Sequence, residues 1–340
     1  MDVNQNTDCD YYIKEVENEK KEKFNVFFVN KDKPITEEIL QEMAKYEIVE
    51  FCNNFNQSVV LGDRMSPMDN LTTGLQNITF GEEFNQSVDY LPRELKSLTF
   101  KWYFNKSVNN LPTGLQCLTF GGNFDNSVDN LPIGLKSLTF GWYFNQSVDN
   151  LPTGLQNLTF KFNFNRSVDY LPEGLQNLTF GQKFNQSVDY LPIGLKSLTF
   201  KFNFNKSVYH LPSGLQNLTF GENFNQSVDY LPEGLQNLTF GKKFNQSVDH
   251  LPSGLQSLTF GYCFNQSVDY LPSGLQSLIF GQKFNQSVDN LPSGLQSLTF
   301  GSIFKQPLDN LPSGLKSLTI SKNYRKPLDK LPVSVEIIRY

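Results

Sequence analysis

Two histidines, His210 and His250, are the only imidazoles in this 340-residue chain, and neither has the setting that proton transfer requires. Each occupies the last place of a twenty-residue phrase, two phrases apart, in a column otherwise filled by Tyr and Asn, so both read as surface substitutions. An aspartate also recurs at this interval, as at Asp129, Asp149, Asp169 and Asp189. Stacked carboxylates could hold calcium, but an Asp placed just before Leu-Pro more simply closes a local turn onto backbone amides. The four cysteines, Cys9, Cys52, Cys117 and Cys263, fall far apart and at different places in the phrase, which fits neither a disulfide framework nor a zinc site. Reduced thiols are expected, with no catalytic residue, no metal and no cofactor.

Aromatic side chains carry the better signal. Just after the conserved Leu-Thr-Phe of each phrase stands a pair that varies, including Glu82-Glu83, Trp102-Tyr103, Trp142-Tyr143, Phe162-Asn163, Phe202-Asn203, Lys242-Lys243 and Tyr262-Cys263. A constant template with one variable rim is how repeat scaffolds diversify, and Trp and Tyr are enriched where binding energy concentrates. Trp102, Tyr103, Trp142, Tyr143 and Phe162 lie within four consecutive phrases. At about 4.8 Å per unit they would form an aromatic strip roughly 15 Å long, which either packs over its neighbours or is the candidate binding surface.

What positions them is the phrase itself, L-P-x-G-L-x-x-L-T-F-x-x-x-F-N-x-S-V-D-x, written thirteen times from Leu71 to Lys330. A fixed period of this size marks a solenoid, whose units bury their apolar faces only by stacking. Leu98 and Phe100 alternate around Thr99 as a short strand requires, and identical strands joined by one-way crossovers pair in parallel. One long parallel sheet is predicted, with an extended or single-turn 3₁₀ back wall, since proline and glycine leave no room for a helix of about 11 residues. A back wall this thin predicts gentle curvature. Leu95, Leu98, Phe100, Phe104, Val108 and Leu111 should point inward, and Gly114 with its equivalents should supply a φ > 0 bend. The threonines on the sheet face are good exposed strand residues, and a single column of them on a curved sheet is a weak match to an ice-binding surface.

The asparagines Asn85, Asn105, Asn145, Asn165, Asn185, Asn205, Asn225, Asn245, Asn265 and Asn285 form a second column. An Asn side chain turned inward can satisfy the backbone of its own and the next coil, so a structural ladder is predicted. Gln186, one place on, should be exposed. The column gives way to Lys305 and Arg325 where no further full units follow, and residues 331–340 read as a C-terminal half-repeat cap. Ahead of the array, residues 1–22 read as a flexible N-terminus and 23–70 as an N-terminal cap. That cap holds a strand at Lys23–Asn30, a helix capped by Thr36 over residues 36–46, a strand at Glu47–Phe51 and a divergent first repeat at Phe55–Val59.

Net charge is −5 with pI near 5.2, and charges are scattered singly, which disfavours a nucleic-acid partner. No apolar run reaches the roughly 18 residues of a membrane span, and the polar start MDVNQNTDCDYY lacks a signal-peptide core. Asn-x-Ser sequons in nearly every unit would risk glycans on a structural column in the secretory pathway, so cytosolic residence without secretion is expected.

The phrase F-N-Q-S-V-D-x-L-P-x-G-L-x-x-L-T-F resembles the FNIP repeat, a leucine-rich-repeat relative found in social amoebae and in giant DNA viruses that infect amoebae. Phe-Asn, Leu-Pro and Leu-Thr-Phe recur together at fixed offsets over about three quarters of the chain. The family unit is about two residues longer, and its Ile-Pro or Leu-Pro after Phe-Asn stands here as Ser-Val except at Pro307-Leu308 and Pro327-Leu328. The resemblance implies a leucine-rich-repeat-type solenoid and a non-enzymatic scaffold for protein–protein interaction, with a host protein as partner and the host cytoplasm as location if the viral members are the nearer kin. Many members carry an F-box, implying a substrate adaptor of a ubiquitin ligase as an alternative. An F-box needs about three helices, and the segment from Pro34 to Phe51 offers one. A structural protein without a specific ligand is the third reading.

Overall fold

Alternation around one threonine decides where each strand begins and which side chains it buries. In Ser97–Phe100, Leu98 and Phe100 are buried while Ser97 and Thr99 stay half-exposed, and the same pattern returns every twenty residues. This computed structural model describes residues 10–17, 21, 23–59, 74–331 and 335–340. The chain falls into two units, Met1–Phe164 and Asn165–Tyr340, and each is a stack of coils of the leucine-rich-repeat type.

In the first unit, β1 (Tyr11–Glu17) runs antiparallel to β2 (Lys23–Val29), with Tyr11 opposite Val29. A seven-residue helix, α1 (Glu37–Met43), leads from β2 to β3 (Ile48–Phe51), which pairs with β2 in parallel. Thr36 caps the helix as its sequence requires, its Oγ1 accepting from Ile39 N, with Glu37 and Glu38 in the first turn. From β3 the parallel pairing passes to β4 (Asn77–Phe80), β5 (Ser97–Phe100), β6 (Cys117–Thr119), β7 (Ser137–Phe140) and β8 (Asn157–Phe160). The second unit repeats the theme from β9 (Asn177–Thr179) to β16 (Ser317–Ile320), leucine opposite leucine at twenty-residue offsets, and closes on β17 (Glu336–Arg339).

Part of the N-terminal stretch expected to be flexible is therefore ordered. Tyr11 stacks on Phe27 at 4.7 Å and Tyr12 on Phe28 at 4.8 Å, so cross-strand aromatic pairs fix β1 on the open edge of β2. Interleaved charges in YYIKEVE hid that strand. The insertion between Val59 and Leu71, together with Cys9, lies outside the described residues. Cys52, Cys117 and Cys263 are free thiols.

The six inward positions are buried from coil to coil, as in Leu215, Leu218, Phe220, Phe224, Val228 and Leu231, until the last coils, where Leu311, Leu328 and Leu331 are half-exposed. The two phenylalanines of one coil stack on each other, Phe220 on Phe224 at 3.7 Å, and each ring faces its counterpart in the next coil, Phe224 to Phe244 at 6.1 Å. The back wall is made of turns, with one three-residue hydrogen bond per coil such as Leu215 N to Pro212 O at 3.1 Å, the 3₁₀ type. No glycine among the described residues has a positive φ, which corrects the expected role of Gly114 and its equivalents. Glycine is required there by close approach instead. A Cβ on Gly254 would lie 2.8 Å from Glu233 O of the coil before, and one on Gly241, just after its strand, would lie 1.9 Å from Gly221 O.

Candidate functional site: an aromatic rim and two polar columns

The main chain leaving each strand turns outward and keeps its ladder for two residues more, Tyr103 N bonding Glu82 O and Tyr143 N bonding Gly122 O, both at 2.9 Å. These bonds hold the variable pairs in register along one rim. On it the structure brings together four of the five predicted strip residues. Trp102 meets Trp142 at 6.0 Å and the edge of Tyr143 at 6.4 Å, and Trp142 lies flat on Phe162 at 5.1 Å. Tyr103 makes no ring contact among the described residues and is exposed. Trp142 and Tyr143 remain 45% and 50% exposed, so the cluster is packed along its own length yet open to a partner.

Trp102 and Trp142 are two coils apart and touch only because the coil between carries Gly122. A Cβ built on Gly122 would lie 2.6 Å from Trp102 Cδ2, so the indole rests in the space that a side chain would fill. Sequence reasoning missed this residue, although the double glycine Gly121-Gly122, unique among the variable positions, was visible. Gly122→Val is expected to expel the indole, a tip that can move, and to red-shift tryptophan emission while leaving the melting temperature nearly unchanged.

The asparagine column lies at a surface turn, half-buried for the most part and not enclosed. Each Oδ1 accepts the backbone N–H of the same position one coil on: Asn85 from Asn105 at 2.9 Å, Asn205 from Asn225 at 2.9 Å, and Asn245 from Asn265 at 2.8 Å. Asp125 serves as a rung through the same oxygen, accepting from Asn145 N at 2.8 Å. The series starts earlier than the sequence suggested, with Asp32 accepting from Asn56 N and Asn56 from Asn85 N. Lys305 N is the last donor, bonding Asn285 Oδ1 at 2.8 Å, and lysine offers no acceptor onward. Gln186 is also not the bystander expected, since its Nε2 bonds Asn165 O at 3.1 Å. Past the end of the ladder, Tyr324 replaces phenylalanine in the core column and donates its hydroxyl to Gln306 O at 2.8 Å.

The aspartates form the other polar column. Ser187 Oγ donates to Asp189 Oδ2, and His210 Nδ1 stands 3.2 Å from Asp189 Oδ1 one coil back. The Ser187 hydroxyl first, and His210 second, hold the Asp189 carboxyl below its ordinary range; Ser127 with Asn150 and Ser267 with Asn290 do the same for Asp129 and Asp269. His250 stands 3.5 Å from Asp229 in the same way. Each histidine is thus a side chain reaching back to a turn aspartate, and among the described residues no cluster of His, Cys, Asp or Glu is arranged to hold a metal.

With this geometry in view, the comparisons with known proteins are specific. No curated protein matches the chain. Among solved structures it is similar to CroV588, a circular leucine-rich-repeat protein of a giant virus, at 37% identity and a TM-score of 0.79. The match covers 89% of this chain and 47% of CroV588, so the chain spans about half the length of that protein. A likeness to YopM from Yersinia enterocolitica has 18% identity and a TM-score of 0.43, covering 84% of this chain and 72% of YopM. The FNIP Repeat family matches residues 124–163, 162–203, 202–243, 224–263, 244–283, 264–303 and 284–323. With those segments together covering 124–323, more than half of its length, the chain belongs to the FNIP repeat family.

Proposed function

We propose that this chain is a non-enzymatic scaffold that binds another protein through the aromatic rim of its first unit. The observation that carries the reading is the contact of Trp102 with Trp142 across Gly122, continued by Phe162, in a cluster whose outer rings stay about half exposed. Pre-packed aromatics lose little side-chain freedom on binding, which is what a hot spot requires. Similarity to a giant-virus protein supports a host protein as partner and the host cytoplasm as the place where they meet. The adaptor reading receives no comparable support, because the described residues ahead of the array hold one seven-residue helix between strands.

A pull-down from host lysate identifies the partner, and the rim is then tested with Trp102→Ala combined with Trp142→Ala. Loss of both anchors is expected to weaken binding by at least about 2 kcal/mol, with the melting temperature nearly unchanged. Normal binding by the double variant would place the interface elsewhere, first on the threonine-bearing sheet face.

A further inference from the structure

We propose that the Tyr- and Asp-bearing edge of the second unit is a docking surface for an arginine-bearing, extended peptide segment of a partner protein. The most exposed aromatic rings of the described residues are not on the tryptophan rim. Tyr170, Tyr190, Tyr230 and Tyr270 are 72%, 73%, 69% and 73% exposed, and Ile193 beside them is 73% exposed. All stand on the turn D-x-L-P-x-G, where the leucine and proline point inward and the three remaining variable positions face solvent. With exposures this high, the rings of Tyr170, Tyr190, Tyr230 and Tyr270 contribute nothing to the core. Asn290, Asn310 and His210 reach back to the aspartate of the preceding coil, at 3.0, 3.1 and 3.2 Å. Where Tyr190 and Tyr270 take that place, Asp169 and Asp249 keep Ser167 and Ser247 as partners at Oδ2 and leave Oδ1 open. Tyr190 and Tyr270 thus stand next to carboxylates with an unused acceptor, whereas Tyr230 follows Tyr209 and meets its ring edge-on at 5.3 Å.

The charge of this edge is one-sided. Counting the three solvent-facing positions of each turn from Asp169 to Ser313, there are nine carboxylates and no lysine or arginine, and the first lysine of the column, Lys330 at its end, stands 3.6 Å from Asp309. Lys183, Lys242, Lys243 and Lys283 stand on the turn that follows the strand, and Lys196 is the lysine that reaches this edge, its Nζ donating to Gly214 O at 3.5 Å. A surface that alternates π-faces with carboxylates suits guanidinium better than ammonium. Arginine stacks flat on an aromatic ring and offers a planar fork to a carboxylate, whereas lysine presents only a strongly hydrated point charge. A bound metal ion fits poorly, since serine and the next coil's asparagine or histidine already occupy many of the carboxylate oxygens. This proposal stands independently of the tryptophan rim, which lies in the first unit.

The test uses the full chain and three fluorescein-labelled decapeptides, alternating glycine with arginine, lysine or glutamine, read by fluorescence anisotropy. The arginine peptide is expected to bind about fivefold or more tighter than the lysine peptide, and the glutamine peptide not measurably, the gap reflecting stacking on exposed rings. Tyr190→Ser with Tyr270→Ser should weaken the arginine peptide about tenfold while changing the lysine peptide less than about twofold. Tyr190→Leu with Tyr270→Leu, which keeps bulk and removes the π-face, should give the same loss. Trp102→Ala with Trp142→Ala should leave arginine-peptide binding intact. Equal affinity for arginine and lysine peptides, indifference to both tyrosine pairs, or no arginine-peptide binding would overturn the proposal. So would a loss that appears only in variants whose melting temperature falls.

Discussion

Phe224→Ala is expected to destabilise the second unit by about 3 to 5 kcal/mol, the range for truncating a buried phenylalanine. The ring is completely buried, stacked on Phe220 at 3.7 Å and flanked by Phe204 and Phe244 at 6.1 Å each. The coils above and below are each tied to the strand of Phe224's own coil by the parallel ladder, Leu218 facing Leu198 on one side and Leu238 on the other, so they cannot close the space by sliding together. Most of the cavity should therefore persist, placing the cost in the upper part of the range. Because a solenoid is held by nearest-neighbour interfaces, damage in one coil weakens two of them at once. Urea unfolding followed by circular dichroism is expected to show a lower midpoint or a split transition. Phe224→Leu, which restores much of the volume, should recover more than half of the loss. A cost below about 1 kcal/mol for Phe224→Ala would mean that the ring column fills space without holding the coils together.

How far the sequence could be read depended on whether a feature lives within one coil or between coils. Leu98 and Phe100 around Thr99 announced strand, parallel pairing and core at once, because period-2 alternation and a fixed repeat are local properties. The cap of α1 at Thr36 was legible for the same reason. Features set by the approach of one coil to another were not. The L-P-x-G glycines were read as turn formers, yet what excludes a side chain is the carbonyl of the previous coil, 3.0 Å from a Cβ on Gly194. Gly122 matters only because Trp102 and Trp142, forty residues apart in sequence, come within 6.0 Å. Gln186 looked like a spare polar residue because its partner, Asn165 O, belongs to the neighbouring turn. The tyrosines at 170, 190, 230 and 270 entered the sequence reading only as the column in which the two histidines stand, and their exposure, beside half-satisfied carboxylates at Tyr190 and Tyr270, gives them meaning.

Removing two adjacent rungs, Asn225→Ala with Asn245→Ala, is expected to cost about 2 to 4 kcal/mol, close to the sum of the single changes. The two lost bonds involve different donors. Asn225 Oδ1 receives Asn245 N at 2.8 Å, and Asn245 Oδ1 receives Asn265 N at 2.8 Å, so neither substitution removes the other's bond. The positions are half-buried, and water can reach part of each orphaned N–H, which holds the expected cost per rung at about 1 to 2 kcal/mol. Only the side-chain oxygen is used in these bonds, and Asp125 fills the same role with a carboxylate. Asn225→Asp with Asn245→Asp should therefore retain most of the stability lost by the alanine pair at neutral pH. Gln226→Ala should cost about 0.5 to 1 kcal/mol, for it loses the bond from its own Nε2 to Asn205 Oδ1 without taking an acceptor from the backbone. The discriminating result is the order of stabilities measured by urea denaturation, with wild type near the aspartate pair and both well above the alanine pair. If alanine and aspartate pairs lost the same amount, the column would owe its asparagines to the amide nitrogen or to turn geometry, and the acceptor ladder would not be what keeps consecutive coils in register.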